Sequence, residues 1–262
     1  MKRKPLLLIL LIPVLSIAQE AKPSKPKKSW YFAGGYNLDW YSKSDIHFKN
    51  ETGPVYDFTL YDVKAEDRPG LKRIFKENIT IPQYSFRFGV YFNDKHNLGF
   101  EVNYDHAKYV MIGSQKVRMK GTIEGINYDQ DTVVVPRFLT YEHSNGANFC
   151  MFNLIKRWKV WEHQDYRFAL HAIAKPGIGF VFPRSDVTLF AVNRNDTYHV
   201  AGYIAGIDGG FRFNFYRYFF LDTSIKGSFA NYTKVFLPGD GIANQHFFAF
   251  EYIFTAGFQF GK

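Results

Sequence analysis

The segment HFFAFEYIFTAGFQFGK, residues 246–262, places a carboxylate, a hydroxyl and an amide inside a run dominated by phenylalanine. Split by parity, it separates. The even positions are Phe248, Phe250, Tyr252, Phe254, Ala256, Phe258 and Phe260, and the odd ones include Ala249, Glu251, Thr255, Gly257 and Gln259. Successive side chains of a β-strand point to opposite faces. The segment therefore predicts a strand with one apolar face and one small or polar face. A soluble sandwich strand alternates too, so the decision rests on whether the pattern recurs and which solvent each face meets.

It recurs seven more times. Trp30, Phe32, Tyr36, Leu38 and Trp40 alternate with Ala33, Gly35, Asn37 and Asp39. Tyr84, Phe86, Phe88, Val90 and Phe92 oppose Gln83, Ser85, Arg87 and Gly89; Leu98, Phe100, Val102 and Tyr104 oppose Gly99, Glu101, Asn103 and Asp105. Cys150, Phe152, Leu154 and Trp158 oppose Asn153 and Arg157, with Phe149 and Met151 blurring the polar face. Further strands put Arg167, His171 and Lys175, then Asp208, Arg212 and Asn214, then Asp222, Ser224 and Lys226 on their polar faces. The connections at 93–96, 162–165 and 216–218 are short, whereas 43–78, 113–146, 182–198 and 233–245 are long. Short turns at one end and long loops at the other are the loop pattern of a membrane-spanning barrel.

The polar face carries matched charge. Asp39, Glu101, Asp105, Asp208, Asp222 and Glu251 stand against Arg87, Arg157, Arg167, Lys175, Arg212 and Lys226, with His171 in addition. A narrow lumen needs such balance, because buried charges must be paired. On this reading Glu251 points into a packed interior while its phenylalanine neighbours face lipid. The interior network predicted is Arg87, Glu101, Asp105, Arg157, His171, Lys175, Asp208, Arg212, Asp222, Lys226 and Glu251.

The totals agree. The 262 residues include 28 Phe and 18 Tyr, an enrichment that favours strands. The mean hydropathy of −0.25 excludes a helical membrane protein but not a barrel, whose alternating strands average out. Residues 1–18 read as an export signal: a basic MKRK, an apolar core, and small residues Ser16 and Ala18 before the cut. Residues 19–28 read as a Lys/Pro-rich periplasmic leader and 29–262 as the barrel. Loss of Lys2, Arg3 and Lys4 lowers the formal charge from +9 to +6. In an exported chain that residue of basic charge is read as a match to anionic lipid headgroups, or as nothing specific, rather than as a nucleic-acid surface. The single Cys150 excludes an intramolecular disulfide and reads as a small buried hydrophobe.

Strand number stays open between eight and ten. Asn145-Gly146 is a strong hairpin cue. A turn there would pair Tyr141 with Cys150 and Leu139 with Phe152, and 115–124 would then descend to complete ten strands. The alternative is a hairpin standing above an eight-stranded barrel. Tyr56, Phe58 and Leu60, alternating with Asp57, Thr59 and Tyr61, predict a strand that extends the wall outward.

Export signal, alternating strands, loop asymmetry and a Phe-rich last strand together resemble the small outer-membrane β-barrel proteins of bacteria. The resemblance implies a transmembrane antiparallel up-and-down barrel in the cell outer membrane, with short periplasmic turns and long extracellular loops. It also implies insertion by the barrel-assembly machinery, contact with outer-membrane lipids and lipopolysaccharide, a monomer, and no cofactor. The chain departs from the family in ending on Gly261-Lys262 rather than an aromatic residue.

One local motif resembles the His-x-Ser-Asn signature of lipid A deacylases: Glu142-His143-Ser144-Asn145. The resemblance implies an esterase-type hydrolase with His143 as base, Ser144 as nucleophile and Glu142 orienting the base. Adjacent strand residues point to opposite faces, so the pair needs a bulge or the turn to meet. The bland alternative is a polar hairpin tip. Asp105 and His106, near Lys108, fall on opposite parities and read as separate. The oxygen donors of loop one, Asp45, Asp57, Asp62, Glu66 and Asp67, with His47, lack a fixed ligand spacing and read as a solvated face. Three functions follow in order: a structural or surface-interaction protein acting through loops 43–78 and 113–146, a lipid A hydrolase, and a small-molecule channel.

Overall fold

The computed structural model describes residues 28–68, 83–92, 97–165, 167–216 and 218–261. The expected export signal, the leader up to residue 27 and the turn at 93–96 lie outside the described residues. In chain order the strands are β1 (Ser29–Tyr41), β2 (Ser44–Asn50), β3 (Tyr56–Val63), β4 (Ala65–Glu66), β5 (Tyr84–Tyr91), β6 (Leu98–His106), β7 (Tyr109–Met111), β8 (Lys116–Ile123), β9 (Ile126–Val133), β10 (Leu139–His143), β11 (Phe149–Glu162), β12 (Phe168–Val181), β13 (Asp186–Leu189), β14 (Val192–Asn195), β15 (Gly202–Phe215), β16 (Phe219–Phe236) and β17 (Ile242–Phe260).

Eight of them close a ring of antiparallel pairs, β1-β5-β6-β11-β12-β15-β16-β17 and back to β1. The ring is staggered. A row of paired residues leaves β1 at Tyr31, passes Gly89, Glu101, Asn153, Gly177, Gly206, Ser228 and Ala249, and returns to β1 at Tyr41, ten residues further on. Eight strands with that stagger tilt by about 40° and enclose a backbone cylinder of about 8 Å radius. Side chains fill a lumen of this size.

The outward face is apolar over a defined height. On β17, Phe248, Phe250, Tyr252, Phe254, Phe258 and Phe260 are 42–55% exposed. Trp30, Phe86, Phe100, Phe152, Ile178, Phe211 and Ile225 continue the belt around the other strands. Phe248 to Phe260 runs about 40 Å along the strand, and the tilt shortens this to about 30 Å along the barrel axis. That is the thickness of a bilayer's hydrocarbon core. Above Phe248 the outward positions of β17 turn polar, at His246 and Asn244.

The long connections build a second structure on the barrel. At Ser42 β1 breaks away from β17, the Ser42 amide bonding the Phe248 carbonyl at 2.9 Å. The chain rejoins β17 as β2, against residues 242–245, and the sheet then grows outward through β3, β8 and β9. A second sheet, β14-β13-β10-β7-β4, lies over it. One apolar core joins the two: Ile46, Phe48, Phe58 and Leu60 from the first meet Tyr109, Leu139, Tyr141, Val187 and Leu189 from the second. Phe149, Met151 and Phe247 carry this core into the barrel's upper end. Phe149 and Met151, which blurred the polar face of β11, are thus inward-facing where the interior is apolar.

The open strand count closes on one of its two readings, and two expectations change. The barrel has eight strands, because β8 pairs with β3 and β9 rather than entering the wall. The Asn145-Gly146 hairpin does not form: Leu139 and Tyr141 pair with Leu189 and Val187 of β13, not with β11. The reason is burial. Tyr141 and Leu139 bury in the cap core, and pairing with β11 would turn them toward lipid. Residues 233–245 are not a loop, since β16 and β17 continue upward on either side of a 3-10 turn at Pro238–Asp240. The outward extension by Tyr56, Phe58 and Leu60 is present as β3.

Candidate functional site

Two regions gather polar side chains, the lumen and the cap. In the lumen, strand register alone sets most neighbours. Asp39 lies opposite Glu251, Glu251 opposite Lys226, Lys226 opposite Asp208, and Asp208 opposite Lys175, one row across five strands. Lys226 Nζ is 2.6 Å from Glu251 and 2.5 Å from Asp105. Arg87 Nη1 is 2.6 Å from Asp105. Lys175 Nζ lies 3.0 Å from Glu101 and 3.7 Å from Asp208, and the Tyr31 hydroxyl donates to Glu101 at 2.5 Å. All these charged groups are buried, so each cation sits between two anions that offset its desolvation. The arrangement can neutralise and rigidify; it offers no reactive group to solvent.

Nearer the short turns, Arg212 clamps Asp222 through Nε at 2.8 Å and Nη2 at 2.7 Å. His171 lies opposite Arg212. Arg157 bonds the neutral Asn97 through Nη2 at 3.3 Å. Arg167 leaves the interior set, because it sits exposed beyond the start of β12 and pairs with Asp165 at 2.9 Å.

The Glu142-His143-Ser144 group does not assemble as a nucleophile and base. His143 is buried in the cap core, stacked on Tyr232 at 4.9 Å and flanked by Tyr109 and Tyr141. It is not on the lipid face. Its Nδ1 is 2.8 Å from Ser185 Oγ, also buried. Ser144 points the other way and donates to Glu142 at 2.9 Å. Strand alternation dictates this split. Burial pushes the His143 pKa down to about 3, which keeps the ring neutral. Ser185 was missed in the sequence, since only the β10–β13 pairing brings it to His143.

Where the cap meets the lumen, Gln83 Nε2 donates to Asp39 at 2.9 Å and to Asp67 at 2.5 Å, and Asp67 accepts the Asp39 amide at 2.9 Å. Burial raises the Asp67 carboxyl to about 6. The other loop-one groups stay at the surface: His47 contacts Asp57 at 2.8 Å, and Asp45 accepts the Asp62 amide. Among the described residues no three His, Cys, Asp or Glu side chains converge as a metal site. His106 bonds Asn148 at 2.8 Å and stacks on Tyr84, apart from Asp105. Cys150 is half-buried on the outward face. An open cleft of about 470 Å³ lies between Lys49, Thr52, Asp240 and Asn244.

The ring of pairs and the filled interior define a class: closed eight-stranded antiparallel barrels with a packed lumen. No family model matches the chain, and no curated protein sequence matches it. Solved structures do align. The attachment invasion locus protein Ail of Yersinia pestis aligns at 9% identity and a TM-score of 0.33, over 90% of this chain and 100% of Ail. The outer membrane protein OprG of Pseudomonas aeruginosa gives 9% and 0.33, over 90% and 97%. The outer membrane protease OmpT of Escherichia coli gives 10% and 0.33, over 93% and 99%. The strand pairs carry the barrel assignment.

Proposed function

We propose that the chain is a monomeric outer-membrane barrel, closed to solutes, that acts through its cap as a surface-interaction protein. The carrying observation is the cap's own hydrophobic core. A connector between wall strands has no need of two packed sheets, and long ordered connections are characteristically functional. The apolar belt of about 30 Å supports the membrane setting, because a soluble monomer does not expose an apolar patch of that extent. Outer-membrane lipids and lipopolysaccharide surround the belt on this reading, and the barrel-assembly machinery inserts it. The paired charges of the lumen and the core above it support closure against the channel alternative.

The hydrolase alternative lacks its geometry, with His143 and Ser144 facing apart. The test has three readouts. An epitope placed at Gly125, in the β8–β9 turn, is expected to be detected on intact cells. Planar bilayers holding the purified chain are expected to show no steady conductance. Lipid A mass profiles with and without the protein are expected to coincide. An inaccessible epitope removes the proposed topology, steady conductance removes the closed barrel, and loss of an acyl chain restores the hydrolase. Binding of proteoliposomes to arrayed extracellular proteins and glycans, against a variant with residues 115–134 replaced by a short turn, tests the cap itself; equal binding, or none, overturns that role.

A further inference from the structure

The lower lumen holds buried polar atoms without hydrogen-bond partners, two guanidinium nitrogens among them, and positive charge without a counter-charge. Arg212 uses Nε and Nη2 on Asp222, and its Nη1 is buried with no partner. Arg157 forms no ion pair with any described residue, and its Nε is shut off from solvent without a partner. The Tyr91 hydroxyl and His171 Nδ1 are buried and unmatched too. These four groups come from β15, β11, β5 and β12. Both guanidinium carbons flank the Tyr91 ring, at 4.1 Å for Arg157 and 5.6 Å for Arg212. His171 stands directly opposite Arg212. Asp222 is the one carboxylate that contacts any of them among the described residues, and it leaves one guanidinium charge uncompensated.

Burial in this cluster increases from the mouth inward. Arg157, His171 and Asn214 are half-buried toward the end with the short turns, while Tyr91 and Arg212 behind them are buried. The rim's unmatched acceptors, Asn214 Oδ1 and Gln259 Oε1, are neutral and supply no charge. The rest of the lumen differs, because there every lysine and arginine contacts a carboxylate. A cation held away from water without a counter-charge is unfavourable, and donors that converge without acceptors suit an acceptor-only species. We propose that Tyr91, Arg157, His171 and Arg212 form a site for one phosphate-type oxyanion, entered from the mouth at the short-turn end. Guanidinium forks match phosphate oxygens geometrically. The oxyanion comes either as free phosphate or as the headgroup of an anionic phospholipid in the adjoining leaflet.

The test is calorimetric titration of inorganic phosphate into the full chain, in phosphate-free zwitterionic detergent at constant ionic strength. One saturable equivalent is expected. Arg157→Gln is expected to weaken it about tenfold and Tyr91→Phe severalfold, the scale of one charge-assisted and one neutral hydrogen bond. Arg212→Gln is avoided because it would strand Asp222. If Arg157→Gln fails to fold, Tyr91→Phe decides, since it keeps the ring and both cations. No saturable binding by the parent chain overturns the site and leaves a water-filled vestibule. So does unchanged binding in the variants that fold. A second arm uses nanodiscs of phosphatidylglycerol without phosphate. A shifted headgroup phosphorus resonance that free phosphate displaces identifies the lipid as source; an unshifted one identifies the free ion. The membrane topology can fail without touching this result, because the titration needs only the folded barrel.

Discussion

Gly89 lies beneath the ring of Tyr31. The two are directly opposite in the β1–β5 ladder, and a Cβ on Gly89 would stand 2.3 Å from Tyr31 Cζ. The phenol is laid across the glycine so that its hydroxyl reaches Glu101. Gly89→Ala is therefore expected to destabilise the barrel by about 1–3 kcal/mol through overpacking. Thermal unfolding in detergent measures it. Adding Tyr31→Ala is expected to cost less in that background than in the parent, as contacting residues couple. Additive losses would show that the ring does not press on this site.

Lys226 stands between Asp105 and Glu251, with Asp39 next in the row. Lys226→Met is expected to cost about 3–5 kcal/mol, the usual penalty of stranding buried charge. Combining it with Glu251→Gln is expected to recover part of that loss. Denaturant unfolding of the two variants, compared at equal detergent, reads the recovery.

His143 gives the cap an acid sensitivity of definite sign. Its folded pKa is held at about 3 by burial, with His199 adding to the effect, against 6.5 when free. As pH falls from 6.5 toward 3 the opened cap gains a proton that the closed cap refuses, so cap stability falls over that window and is fully present above it. Hydrogen exchange of the β10 amides is expected to quicken accordingly. The double change His143→Phe with Ser185→Ala is expected to flatten the slope. A slope unchanged by it would assign the sensitivity elsewhere.

Asp67 works in the opposite sense. Its carboxyl titrates at about 6 in the folded chain against 3.8 when free. The closed junction therefore holds its proton more tightly, and that contribution is complete below about 4 and lost as pH rises through 6. Asp67→Asn, which keeps the Gln83 and Asp39 neighbours, is expected to remove this term. Thermal midpoints of parent and variant should converge at pH 4 and separate at pH 7, the variant then being the more stable.

The barrel was legible because strand period is short and its consequence absolute: a residue's parity decides lipid or lumen. Lys175, Asp208, Lys226 and Glu251 were readable as interior on that basis alone, and register did the rest. The cap was less legible. Asn145-Gly146 is a local cue, but the partner of β10 was chosen by where Tyr141 and Leu139 could bury. Phe149 and Met151 did carry the signal: apolar residues on an otherwise polar face mark a change in what fills the interior. The His143–Ser185 contact depends on sheet order, which no local spacing encodes. Gly89 could have been read as a close approach, since a glycine inside a strand marks one.

Residues 242–245 of β17 hold β2, and residues 249–260 of the same strand hold β1. One unbroken covalent rod thus belongs to the outer platform and to the seam that closes the cylinder. A pull on anything gripped by the platform travels down that rod as shear along the seam's hydrogen bonds, loaded together and not one by one. The platform is thereby a mast stepped through the deck, and it resists tearing far better than a tethered loop of equal reach.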